Sequence, residues 1–112
     1  MKYDGVDWVA VGSPDFSAGT AKNTALSFSN NNEPYVAYSD YANSIKATVK
    51  KFNGSNWVAV GTEGFTVGPA DEIGLALNAD GVPYVVFSDG SDSYKAHVMK
   101  FDGTNWVSVG GS

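Results

Sequence analysis

Trp8, Trp57 and Trp106 stand 49 residues apart, and the spacing recurs because the sequence around them recurs. The phrase Phe52-Asn53-Gly54-Ser55-Asn56-Trp57-Val58-Ala59-Val60-Gly61 returns as Phe101-Asp102-Gly103-Thr104-Asn105-Trp106-Val107-Ser108-Val109-Gly110, and Tyr3-Asp4-Gly5-Val6-Asp7-Trp8 opens the chain in the same way. Aligning residues 8–56 with 57–105, without a gap, gives 22 identities in 49 positions. A period of that size means that one supersecondary unit is used twice. Such a unit cannot bury its apolar surface alone and needs a neighbouring copy to cover it.

Each period reads as four short strands. The first, about 24–29 and 73–78, alternates Leu26 and Phe28 with Ala25 and Ser27, and Leu75 and Leu77 with Gly74 and Ala76; that period of two is the strand signature. The second covers about 35–39 and 84–88, the third about 45–52 and 94–101, and the fourth is the Trp-Val-Ala/Ser-Val run. Asn53-Gly54 and Asp102-Gly103 fall between the third and fourth strands, where a tight hairpin needs positive φ. Asp80-Gly81 serves the first hairpin of the second copy, and Asn31-Asn32 stands there in the first. Asn tolerates the left-handed region next best after Gly. No stretch carries helical periodicity.

Four antiparallel strands per period fit an all-β fold of two four-stranded β-propeller blades. A β-sandwich of about eight strands is the nearest competitor, but it has no reason to repeat its sequence every four strands. The expected boundaries are blade one at about 13–61, blade two at about 62–110, and an extra N-terminal strand of the fourth type at about 3–12. Closed propellers use roughly four to eight blades, so two blades must complete a ring by homo-oligomerisation. A homotrimer is expected, with a homotetramer next. One strand is surplus, because three segments of the fourth type serve two sets of the other three. The two terminal segments therefore compete to complete blade two or its equivalent in a neighbouring chain.

The phrase Asn78-x-Asp80-Gly81-x-Pro83-Tyr84-Val85-x-Phe87-Ser88-Asp89 resembles blades of bacterial, mostly exported, β-propeller repeat proteins. The resemblance implies an exported or extracellular origin, although Met1-Lys2-Tyr3-Asp4-Gly5 runs into repeat sequence without an apolar signal segment. In architecture the chain is similar to two-bladed fucose-binding lectins, which trimerise into six-bladed propellers and carry an aromatic-Asp-Gly-x-x-Trp turn. That resemblance implies oligomeric assembly and a multivalent carbohydrate-binding alternative. Those lectins hold sugar with an Arg and a Glu, and this chain has no Arg to carry over. The same turn resembles the Asp-box of sialidase-like propellers, which marks the fold.

The net charge of −5, with Lys as the only strong cation, opposes a nucleic-acid partner, which needs a basic face. The absence of Cys removes thiolate chemistry, and no window is long and apolar enough for a membrane helix. No cofactor or metal is expected.

The loops joining the fourth strand to the next blade, and the second strand to the third, share one face in propellers. Candidate ligand-binding residues there are Asp40, Tyr41, Asn43, Asp89, Asp92, Phe16 and Phe65. The Asp, Asn and hydroxyl groups suit oxygen-seeking ligands, and they are equally what turns are made of. The aromatic rings would stack on a sugar or plug the gap between blades. His97 is the only histidine and its counterpart in the first copy is Thr48, a poor basis for metal or proton chemistry. Asp15, Glu63, Asp71 and Glu72 could pair as glycosidase carboxylates, but Lys22 stands opposite Asp71, so no catalytic residue is assigned. The expected role is an assembly module without catalysis.

Overall fold

The structure, a computed structural model, describes residues 1–12, 16–17 and 19–110. It is all-β, with two four-stranded antiparallel sheets and one two-stranded sheet. The small sheet pairs β1 (Lys2–Tyr3) with β2 (Trp8–Val9). The first large sheet contains β3 (Ala21–Phe28), β4 (Pro34–Asp40), β5 (Lys46–Phe52) and β6 (Trp57–Ala59) in sequence order. The second contains β7 (Ala70–Leu77), β8 (Pro83–Asp89), β9 (Lys95–Phe101) and β10 (Trp106–Ser108), again each beside the next. This meander in two repeat-like units, neither closed into a barrel, is compatible with two propeller-like blades.

The turns follow from local chemistry. In each hairpin before a Trp strand, an Asp or Asn side chain accepts two backbone N–H groups: Asp4 from Val6 and Asp7, Asn53 from Ser55 and Asn56, Asp102 from Thr104 and Asn105. Such a side chain imitates a turn of backbone and fixes the reversal.

The first strand of each sheet begins three residues before its expected start. The ladder steps from Lys22–Ser39 to Ala25–Ala37, and from Asp71–Ser88 to Gly74–Val86, so one extra residue is inserted on the outer strand. Asn23 (φ 53°) and Glu72 (φ 49°) adopt the left-handed conformation there. A β-bulge shifts the phase of alternation, which hides residues 21–23 and 70–72 from a period-two reading. Single-turn 3-10 helices at Tyr41–Asn43 and Gly90–Asp92 follow the second strands; they are too short to give helical periodicity.

One core lies between the sheets. Tyr35, Ala37, Ala47 and Val49 of the first pack with Ile73, Val85, Phe87 and Trp106 of the second, and Leu75 and Leu77 lie against them. Ala37 and Ala47 on the first sheet let the backbones approach, and Leu75, Leu77 and Phe87 of the second pack with them in the same cluster as Tyr35 and Val49. Ser39 Oγ donates to the carbonyl of Ala70, stitching the sheets where β7 begins.

Candidate functional site

Two places merit attention as sites: the loop end where the sequence puts its candidates, and the outer face of each sheet.

At the loop end, two loops of each sheet are joined by a backbone hydrogen bond. Tyr41 N donates to Thr20 O at 3.0 Å and Gly90 N to Pro69 O at 2.8 Å, tying the loop after each second strand to the loop before the same sheet. Asp40 is buried, accepting from Ala42 N at 3.1 Å, Asn43 Nδ2 at 2.8 Å and Thr48 Oγ1 at 2.8 Å. Asp89, also buried, accepts from the backbone N and hydroxyl of Ser91 at 2.8 and 2.6 Å. Both carboxylates thus cap the 3-10 turn that follows them.

His97 takes part in the second cap, which sequence reasoning missed. Its Nε2 lies 3.0 Å from Asp92 and 3.6 Å from Asp89, and its ring stacks on Phe87. The signal was Thr48 at the matching position, a hydroxyl on a strand facing an Asp in the preceding turn. Among the described residues no group of three or more His, Asp or Glu side chains is placed to hold a metal ion.

The aromatic candidates divide. Phe16 stacks on Trp57 at 4.4 Å between ring centroids, and Phe65 on Trp106 at 4.3 Å. Each thus has one ring face engaged by an indole. Tyr41 is exposed, and Lys22 Nζ sits 5.5 Å from its ring centroid, within cation–π range. Glu63 and Glu72 are exposed and Asp71 half-buried; Asp15 lies outside the described residues.

The outer faces are more informative. Leu26 is 60% exposed, Phe28 56%, Val86 44% and Val98 37%. Their repeat counterparts are Leu75 and Leu77, packed against the core, and Ala37 and Val49, fully buried within it. The same positions are thus covered where the two sheets meet and bare where they do not. A cleft of about 600 Å³ lies over the first sheet's bare face, lined by Ala10, Val11, Leu26, Phe28, Val36 and Trp57 among others. The three tryptophans follow the same rule: Trp106 is 9% exposed, Trp57 half-buried and Trp8 65% exposed.

No family model matches this chain, and no curated protein or solved structure matches it either.

Proposed function

We propose that this chain is a two-blade propeller unit that associates with copies of itself into a closed symmetric ring, an assembly module without catalysis. The supporting observation is that Leu26, Phe28, Val86 and Val98 are bare while their repeat counterparts are buried. Exposed apolar side chains grouped on the outer face of each sheet mark an interaction surface. Covering both faces with the same repeat relieves the exposure, and a cyclic arrangement leaves no end uncovered. A dimer, trimer or tetramer supplies four, six or eight blades, about the range that closed propellers use.

Native mass spectrometry of the full chain tests the reading. A discrete trimer is the expected species, with the tetramer next. A monomer at every concentration up to solubility would remove the proposal.

A further inference from the structure

We infer that the ring closes head to tail through a second use of the interface already inside the chain, with Glu72 of one copy facing Lys22 of the next as a charge pair that sets the register. This rests on the self-assembly reading and adds which surfaces meet.

The repeat relates the contacts of one face to those of the other by a shift of 49 residues. A contact between residue i of the first sheet and residue j of the second has an intermolecular counterpart between i + 49 of one copy and j − 49 of the next. The bare face carrying Val86, Ala96 and Val98 corresponds to the buried Ala37, Ala47 and Val49. The open face carrying exposed Leu26 and Phe28 and half-buried Val36 corresponds to Leu75, Leu77 and Val85. Each open face of the chain is therefore the complement of the other and not of itself. A two-fold pairing of like faces would set Leu26 and Phe28 against their own copies, or Val86 and Val98 against theirs, a contact found nowhere inside the chain. Head-to-tail pairing repeats the arrangement inside the chain, with Val86 in the place of Ala37 and Phe28 in the place of Leu77.

The polar contacts transpose with their chemistry intact. Ser39 Oγ donating to Ala70 O becomes Ser88 Oγ donating to Ala21 O of the next copy. Ala47 N donating to Thr66 Oγ1 at 3.1 Å becomes Ala96 N donating to Ser17 Oγ, and Ser17 already makes the same hydroxyl bond to Gly19 that Thr66 makes to Gly68. The informative case is a contact that changes. Asn23 Nδ2 donates to Asp71 Oδ1 at 3.3 Å between the two sheets. Its counterpart joins position 72 of one copy to position 22 of the next, and those positions hold Glu and Lys. A neutral–acidic contact inside the chain is replaced by an opposite-charge contact between chains.

The backbone makes Glu72 harder to explain otherwise. It holds φ 49° at the bulge, where its twin Asn23 holds φ 53°. Asn enters that region at low cost and Glu does not. A strained residue kept where its twin has the relaxed choice is the mark of a position with work beyond folding the monomer. Glu72 and Lys22 are both exposed in the single chain.

Head-to-tail closure displaces the N-terminal hairpin. Counted by two periods, Tyr3 corresponds to Phe101 and Trp8 to Trp106, so β1–β2 and the β9–β10 hairpin of the neighbouring copy claim one place beside the first sheet. In the single chain Trp57 Nε1 donates to Val11 O at 2.8 Å. In the ring it donates to the carbonyl of Val109 of the neighbouring copy, the repeat counterpart of Val11 and Val60.

Two sets of full-length variants test the inference by native mass spectrometry, with circular dichroism to verify folding. Leu26→Asp spoils one face and Val86→Asp the other, and both residues are already exposed in the monomer. Each variant alone should be monomeric, with its assembly midpoint raised at least about a hundredfold by the uncompensated charge in an apolar contact. Mixed, they should form a dimer and stop, because one intact face remains on each. Either variant dimerising alone would overturn head-to-tail pairing while leaving self-assembly standing, whereas a monomeric parent would remove the self-assembly reading itself. For the register, Lys22→Glu and Glu72→Lys should each raise the assembly midpoint about tenfold at low salt. The double reversal should bring it back to near the parent, and failure to recover would overturn the Glu72–Lys22 pairing. Glu72→Asn should separate the two roles of that position by stabilising the monomer and weakening assembly. An increase in both would also count against the pairing.

Discussion

Trp106 donates its indole N–H to the carbonyl oxygen of Val60 at 2.8 Å, across the boundary between the two sheets. Trp57 makes the same bond to Val11, one period earlier. The donor in each case also stacks on a Phe from the loop leading into its own sheet, so a single indole fixes both position and tilt of neighbouring units. Replacing Trp106 by Phe leaves the buried Val60 carbonyl without its donor and trims the core. The expected cost is about 2–3 kcal/mol in urea denaturation. Trp57→Phe should cost less, and Trp8→Phe should fall within about 0.5 kcal/mol in the monomer, because Trp8 is exposed. Equal costs at all three positions would contradict this ordering.

Gly61 is the residue on which that Trp contact closes. Its φ is +75°, and a Cβ there would lie 2.8 Å from the Phe101 ring and 2.9 Å from Trp106 Nε1. Gly61→Ala therefore combines a left-handed backbone penalty with overlap against two aromatic rings. A loss of at least about 2 kcal/mol is expected by thermal or urea denaturation. Gly81→Ala is the matched control, since its φ is +78° but no atom lies within 4 Å of the added Cβ; it should cost about 1 kcal/mol.

Tyr38 is fully buried, and its hydroxyl has no hydrogen-bond partner among the described residues. Its repeat counterpart is Phe87, which presents no hydroxyl. Tyr38→Phe should be neutral or stabilising by up to about 1 kcal/mol, because it removes a desolvated group that gains nothing in return. Burial, reinforced by the nearby charges of Asp40 and Glu63, pushes the phenol pKa upward. A group whose folded pKa is raised contributes stability fully below its unfolded value and loses it as pH climbs beyond that value. Stability should accordingly fall above about pH 10, and Tyr38→Phe should weaken that decline in alkaline unfolding curves.

Asp102 accepts the N–H groups of Asn105 and Thr104 at 2.7 and 2.8 Å, and these bonds hold its carboxyl below the usual carboxylate range. Asp4 is lowered for the same reason by Asp7 and Val6. A depressed carboxylate contributes stability above its unfolded pKa and loses it as pH falls through the folded value. Carboxyl NMR titration should place both below ordinary exposed aspartates. Asp102→Asn should keep the turn, since Asn53 makes the same two bonds in the other copy, and should remove that part of the acid dependence.

Deleting residues 1–9 addresses the surplus hairpin. Among the contacts made by β1 and β2 are their mutual pairing and the Tyr3–Trp8 ring contact, with both rings exposed. The truncated chain should still assemble, with the same number of copies by light scattering. Loss of the ring would instead assign the N-terminal strand the role of the lock.

The period of 49 and the turn residues made the strand order legible, because hairpin geometry is local and depends on which residues tolerate positive φ. The two bulges were not legible at Asn23 and Glu72, because they reveal themselves only as a slip in pairing between strands. The chemistry of each loop-end candidate was decided by its partners. Asp40 and Asp89 became caps because the N–H groups of Ala42 and Ser91 lie within reach, and Asn43 and Thr48 add two further bonds to Asp40. Phe16 and Phe65 became packing groups because an indole lies against each.

The sequence by itself determined an all-β chain of two equal units, since periodicity and turn chemistry act over a few residues at a time. Only the tertiary structure decided which copy of each repeated residue is covered. Leu75 and Leu26 share a position in the repeat, but burial belongs to the neighbour and not to the residue. That difference between identical positions leaves one face of each sheet without a partner.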